Sequence, residues 1–231
     1  MISHFLAFSL IVVLPVWDRY ETGRLKTSHN PRAKIQSYQM TVAWMWIGSA
    51  IAIATLGWHA TLTIRRTSNE VPWLPPGRNG FILGLAIGSA LIAASIVPAI
   101  AAILSSKVRE GFARQFAPLS FFLPGTAEER LWFGFVSITA GVCEEILFRG
   151  FLIRYFQDGP YHLALAFALL LSCLFFGTAH LYQGIVGVLA TAALGLSYAA
   201  LFLLTGSLLL PMIAHALLDL RILLLLPENT S

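Results

Sequence analysis

Gly80-Phe-Ile-Leu-Gly-Leu-Ala-Ile-Gly-Ser-Ala-Leu-Ile-Ala-Ala-Ser-Ile-Val-Pro-Ala-Ile-Ala-Ala-Ile-Leu104 runs for 25 residues without a charged side chain. A helix of that length exceeds the roughly 20 residues needed to cross a bilayer's hydrocarbon layer. Working outward, further apolar runs occupy Ile2–Trp17, Met40–Ile64, Leu131–Ile153, Leu163–Phe176, Ile185–Leu204 and Leu208–Leu226. The chain is 57% hydrophobic and 11% charged, against roughly 25% charged in a soluble domain. It lacks the polar residues to cover a water-soluble fold. The expectation is an all-α, polytopic membrane helix bundle of about seven transmembrane helices. No internal repeat or low-complexity linker divides it, so residues 1–231 are read as a single membrane domain.

The net charge of +4 does not point to nucleic acid, because Lys and Arg form no dense basic patch. They sit in the connections between apolar runs, as the orientation bias of membrane proteins requires. Arg19, Arg24, Lys26, Arg32 and Lys34 precede the second run, and Lys107, Arg109, Arg114 and Arg130 precede the fourth. Arg65, Arg66, Arg78 and Arg154 fall in the alternate connections. Nine against four places the first and third connections in the cytoplasm, with the N-terminus outside. Ile2–Trp17 has no basic residue ahead of it and no small-x-small site behind it, so it reads as a retained helix and not a signal peptide. Cys143 and Cys173 lie in apolar runs and read as packing residues; two glutamates beside Cys143 disfavour a thiolate nucleophile.

Several short patterns mark helix ends and contacts. Thr126 with Glu129 three residues on forms a capping box that starts a helix near Ala127. Asp158-Gly159-Pro160 and Thr205-Gly206-Ser207 are turns. Gly80, Gly84 and Gly88 make a small-residue stripe for close helix approach, read as packing within the bundle in preference to dimerisation. In Ser105–Ala117, Val108, Phe112 and Phe116 recur at helical spacing while Lys107, Arg109 and Arg114 fall elsewhere. That pattern fits a helix lying in the headgroup layer, and equally an extension of the preceding helix into water.

Formal charge deep in a bilayer costs about 2.5–3.5 kcal/mol even on lenient insertion scales. Yet Glu144, Glu145, Arg149, His180, His215, Asp219 and Arg221 all fall in the last four runs, whereas the first three carry almost none. His59 is the nearest case there, and alone it is an interfacial or packed histidine. Any active site is therefore expected within residues 131–221. On Gly141-Val-Cys-Glu-Glu-Ile-Leu-Phe-Arg-Gly150 taken as one helix, Glu145 and Arg149 are four apart with the acid first, the favourable order for a helical pair. Glu144 lies about 100° further round. Glu145 with Arg149 thus reads as a supporting brace, and Glu144 as a base: a carboxylate in a partly dry site takes a proton from water more readily than one in bulk. Asp219, four residues after His215, can hold one imidazole nitrogen and leave the other facing the site.

Glu144-Glu145-x-x-x-Arg149, Phe176-x-x-x-His180 and His215-x-x-x-Asp219 resemble, in order and spacing, the motifs of the CPBP family. These are the CAAX proteases and bacteriocin-processing enzymes, also called Abi proteins, which are intramembrane glutamic proteases. Phe148-Arg-Gly-Phe-Leu152, His180-Leu-Tyr-Gln-Gly184 and Ala214-His215-Ala216 look similar too. The resemblance covers about residues 126–224, a catalytic core within the single domain. It implies peptide-bond hydrolysis in or beside the membrane, with Glu144 and His180 activating water and His215 and Asp219 assisting at the oxyanion. An ionised Asp219 accepts hydrogen bonds and cannot donate one, so donation is assigned to His215 and orientation of its ring to Asp219.

On ideal rods His180, at a helix end, and His215, just inside the next helix but one, stand some ~15–20 Å apart in depth; a shared site needs tilted, short or broken helices around a cavity. The expected partners are a membrane-associated or lipidated peptide or protein substrate and the lipid bilayer, with no nucleic acid, in the plasma membrane of a prokaryote. No cofactor is expected. A divalent metal held by the Glu, His and Asp set is one rival, although no His-Glu-x-x-His signature is present. A transporter or scaffold using the same residues as a proton relay is the other. The aromatics Phe148, Phe151, Phe175 and Phe176 either line a groove for an apolar peptide or pack the core.

Overall fold

The computed structural model describes residues 1–64, 71, 72 and 74–226. The expected basic pair Arg65 and Arg66 lies outside the described residues. Among those described there is no β-strand, and one isolated bridge, Thr63 with Ser207, is the only extended pairing.

Among the described residues, five helices are long and apolar enough to cross a membrane. They are α1 (Ile2–Thr27), α2 (Ala33–Leu56), α4 (Gly77–Leu104), α6 (Ala127–Asp158) and a span opening with a 3-10 turn, Leu181–Gln183, that continues as α8 (Gly184–Thr205). Two of the seven expected runs form shorter helices. The run Leu163–Phe176 becomes α7 (Leu165–Thr178), and Leu208–Leu226 becomes α9 (Leu209–Leu220), broken at Arg221 before the single turn α10 (Ile222–Leu225). Among the described residues the fold is thus a helical membrane bundle with five helices long enough to span and two shorter apolar ones. A one-turn helix, α3 (Trp58–Leu62), follows Gly57, whose φ of 83° ends α2 in a conformation that glycine reaches without strain.

The first helix is longer than its apolar run. Trp17 does not end it: helical structure continues to Thr27, so Asp18, Arg19, Arg24 and Lys26 lie on the helix and not in a connection. A π-helical turn, Ser9–Val13, stands just before Pro15. Proline offers no N–H and crowds the preceding turn, and a widened turn accommodates it. Arg24 Nε then donates to Glu21 at 2.7 Å near the C-terminal end, where positive charge is favourable.

α6 is the axis of the bundle. Two-thirds (67%) of its apolar window is buried, against 11–33% for the other four spans. Its start is set by the capping box: Thr126 Oγ1 accepts from Glu129 N at 3.2 Å and Glu129 Oε2 accepts from Thr126 N at 3.3 Å. The core around it is built from Phe148, Phe151, Leu152, Phe176, Phe202 and Leu208, all nearly inaccessible. Phe148, Phe151 and Phe176 therefore pack the core; they do not line an open groove.

Glycines set the closest crossings. A Cβ on Gly141 of α6 would stand 2.6 Å from the Ala216 backbone nitrogen of α9, and one on Gly150 would stand 2.5 Å from the Thr61 carbonyl oxygen. The stripe on α4 packs inside the bundle, Gly84 against Leu204 and Thr205 and Gly88 against Leu210. Helix α5 (Ser106–Phe116) is a separate element: Ser105 is extended (φ −140°, ψ 114°) and its hydroxyl caps the new helix at Val108 N. No α5 residue is buried, so it is not a continuation of α4. Val108, Phe112 and Phe116 on its apolar stripe are half-buried, while Lys107, Glu110 and Arg114 are exposed.

Candidate active site

Glu144 ends the α-helical part of α6, and Glu145 begins a π-helical stretch that runs to Leu152. The expected uninterrupted α-helix over Gly141–Gly150 is therefore corrected to an α-to-π junction between the two glutamates. Such widened turns occur mainly where local function or packing repays their poorer hydrogen bonding. Here the turn carries a charged side chain into the core. Arg149 is 1% exposed and Glu145 0%, and Arg149 Nη1 donates to Glu145 Oε1 at 3.0 Å. The guanidinium carbon lies 4.0 Å from the centroid of the Phe176 ring and 5.6 Å from that of Tyr198, an arrangement favourable to a cation shielded from water. Space for it comes from Gly195 on α8, where a Cβ would fall 2.9 Å from Arg149 Nη2.

Glu145 reaches a second partner. The His215 ring, on α9, donates from Nδ1 to the same Oε1 at 2.8 Å. The other ring nitrogen, Nε2, faces two more carboxylates, Glu144 Oε2 at 3.7 Å and Asp219 Oδ2 at 3.6 Å. Consecutive glutamates on one helix thus address opposite edges of one imidazole. The division of labour expected for Asp219 is corrected here. The acceptor that fixes the His215 ring is Glu145, seventy residues away in sequence, while Asp219 sits near the nitrogen left facing the site, with its side chain about one-third (35%) exposed. Tyr198 completes the setting by stacking on His215, centroids 5.0 Å apart and planes 18° from parallel.

His180 lies just beyond α7, between Ala179 and the turn Leu181–Gln183. Its Nδ1 donates to the Phe176 carbonyl at 2.8 Å, so Nε2 is the nitrogen available to a reactant. The Phe176 ring contacts both imidazoles, 5.0 Å from His180 and 5.9 Å from His215, centroid to centroid. The two histidines therefore share one neighbourhood, closer than ideal rods allow. The reason is that α7 is only 14 residues long, about 21 Å at 1.5 Å per residue and short of the roughly 30 Å of a hydrocarbon layer.

The structure thus gathers Glu144, Glu145 and Asp219 around the His215 ring, ties Arg149 to Glu145, and sets both His180 and His215 against the Phe176 ring. Glu144 Oε2 and Glu145 Oε2 are buried without a hydrogen-bond partner among the described residues. Such oxygens are ready to hold a polar reactant, since leaving them unmatched is costly. No group of three or more His, Cys, Asp or Glu among the described residues is arranged to hold a metal ion. Tyr198 and Gly195 escaped the sequence reading. Each sits on an apolar helix where an aromatic or a glycine reads as packing, and only their spacing of three, on one face of α8, hints at a common neighbour.

Residues 126–221 match the family model Rce1-like, described as type II CAAX prenyl endopeptidase Rce1-like. The matched segment contains every residue from Glu144 to Asp219 described above, and it accords with the CPBP resemblance of the three motifs. Neither the curated proteins nor the solved structures give a match. The match points to a protease and, with five helices among the described residues apolar enough to span, to an integral membrane protein; a membrane-associated substrate is consistent with both.

Proposed function

We propose that this chain is an intramembrane glutamic endopeptidase that hydrolyses a peptide bond in a membrane-associated or lipidated peptide, in the plasma membrane of a prokaryote. Residues 126–224 form the catalytic core of one domain, 1–231. The observation that carries the proposal is the meeting of Glu144, Glu145 and Asp219 around the His215 ring in a site walled by Phe176 and Tyr198.

Each group then has a role that its contacts support. Glu144 takes a proton from water, and its buried Oε2 is the oxygen suited to that. His180, whose Nδ1 is held by the Phe176 carbonyl, has Nε2 free and shares the activation of water. Glu145, braced by Arg149, locks the His215 ring. As an imidazolium His215 has an N–H at Nε2, which would stabilise the oxyanion of the tetrahedral intermediate. Asp219 helps to hold that charge on His215 and does not itself donate. None of these steps calls for a metal or an organic cofactor.

Comparative proteomics of membranes carrying the native protein or Glu144→Ala tests the proposal. It predicts fragments that are present with the native chain and replaced by their uncut precursors with the variant. Identical peptide profiles from both membranes would refute it.

A further inference from the structure

The matched segment closes on Arg221, the residue at which the last apolar run breaks. The Arg221 N–H donates to the Leu217 carbonyl at 3.1 Å and ends α9. Its own carbonyl accepts from Leu224 N and Leu225 N, each at 2.9 Å, and starts α10. Asp219, which faces His215 Nε2 at 3.6 Å, stands just before this break. The Arg221 side chain leaves the segment altogether: Nη1 donates at 3.3 Å to the backbone carbonyl of Ala94 on α4.

That carbonyl has a particular need of a donor. In an α-helix a carbonyl accepts from the N–H four residues on, and four residues after Ala94 stands Pro98, inside α4. Proline has no N–H, and its ring crowds that same carbonyl, so α4 cannot make its regular bond to Ala94. The Ala94 side chain is exposed, on the outside of the bundle, where lipid offers no donor. Prolines persist in membrane helices where a neighbouring element satisfies the freed carbonyl. A guanidinium in the bilayer needs acceptors in turn, and backbone carbonyls serve. Each side of the contact thus meets a need of the other. α9 already meets α4 near its start, where a Cβ on Gly88 would stand 2.6 Å from Leu210 Cδ2; the Arg221–Ala94 bond fixes its other end.

We infer that Arg221 is a positioning residue of the active site: it supplies the hydrogen bond that Pro98 denies to Ala94, and so pins the end of α9 that presents Asp219 to His215. α4, which lies outside the matched segment, thereby becomes a structural component of the site. The inference rests on the proposed protease function for its kinetic consequence, but not for its structural one.

Three readouts on the full chain separate those parts. In thermal melts, Arg221→Met, which keeps an unbranched side chain and removes the donor, should lower the midpoint by about 2–4 °C or more, as expected for one lost hydrogen bond in a chain of this size. In a Pro98→Ala background an N–H at position 98 restores the helix's own bond to Ala94, and the same change should cost less than half as much. Backbone hydrogen exchange over residues 213–221 should quicken about tenfold in Arg221→Met and stay near native in Arg221→Lys, whose ammonium still offers a donor. Equal losses of midpoint in both backgrounds, or native exchange in Arg221→Met, would overturn the inference. The third readout is cleavage, in liposomes, of a prenylated peptide ending in a CAAX box. Arg221→Met should lower kcat by about fivefold or more with KM within about twofold, since a misplaced group slows the chemistry more than it weakens binding; Arg221→Lys should restore most of the loss. A native kcat in Arg221→Met would overturn the positioning role. A native protein that cuts nothing, while melts and exchange behave as stated, would count against the protease and uphold the pinning of α9 by Arg221.

Discussion

Glu145→Leu and Arg149→Met should each destabilise the protein more than the two changes made together. The two side chains form an ion pair at 3.0 Å with exposures of 0% and 1%. At an effective dielectric constant of 20, Coulomb attraction at that separation is about 5–6 kcal/mol, and removing one partner of a buried pair costs about 3–5 kcal/mol because the other charge is left unmatched. Glu145→Leu also deprives His215 Nδ1 of its acceptor, adding about 1–3 kcal/mol. The double variant leaves no unmatched charge and retains only that His215 penalty, so the coupling between the two changes should exceed about 2 kcal/mol, the two losses failing to add. Unfolding followed by far-UV circular dichroism in detergent, for the native chain, both single variants and the double, measures it. The double variant should remain inactive, because His215 has lost its holder. Additive losses, with the double variant the least stable of the four, would show that the buried pair does not exist as described.

His215→Ala should abolish cleavage while Asp219→Asn leaves measurable activity, since Asp219 lies 3.6 Å from a ring already fixed by Glu145; the opposite order in a liposome cleavage assay would reverse their roles. Gly141→Ala should cost about 1–3 kcal/mol by overpacking, because the new methyl meets the Ala216 backbone at 2.6 Å and a backbone cannot yield as a side chain does. A thermal melt equal to that of the native chain would refute the close crossing of α6 and α9. Gly195→Ala should lower activity by pressing on Arg149 Nη2, from which its Cβ would be 2.9 Å away, and cleavage within twofold of native would contradict this. A chelator should leave cleavage unchanged; loss of activity restored by a single metal would refute the metal-free chemistry.

What the sequence showed and what it hid divide along the range of the interactions. Helix starts, turns and the glycine stripe are local: Thr126 and Glu129 are three apart, and their mutual hydrogen bonds follow from that spacing alone. The Glu145–Arg149 pair is equally local. Contacts between distant segments were not legible. The spacing of His215 and Asp219 suggested that they hold each other, and they are neighbours, but Glu145 from another helix takes the ring's Nδ1. The apolar run Ile2–Trp17 stops where hydropathy stops, yet backbone hydrogen bonding carries α1 on to Thr27, which is how this helix comes to pack against the turn Leu181–Gln183. Apolar length also overstated the spans: Arg221 breaks the last run and α7 ends at Thr178. Those short helices are what let His180 and His215 share the Phe176 ring.

Cleavage of a peptide by purified protein in liposomes, with Glu144→Gln compared against the native chain, bears most directly on the central claim that Glu144 is the base of a protease site. The substitution keeps the shape of the side chain and removes its capacity to take a proton, so unfolding should be little changed while kcat falls by about 10²–10⁴-fold, the range for losing a general base. Cleavage by the Gln variant within about threefold of native, in a protein that melts at the same temperature, would contradict it.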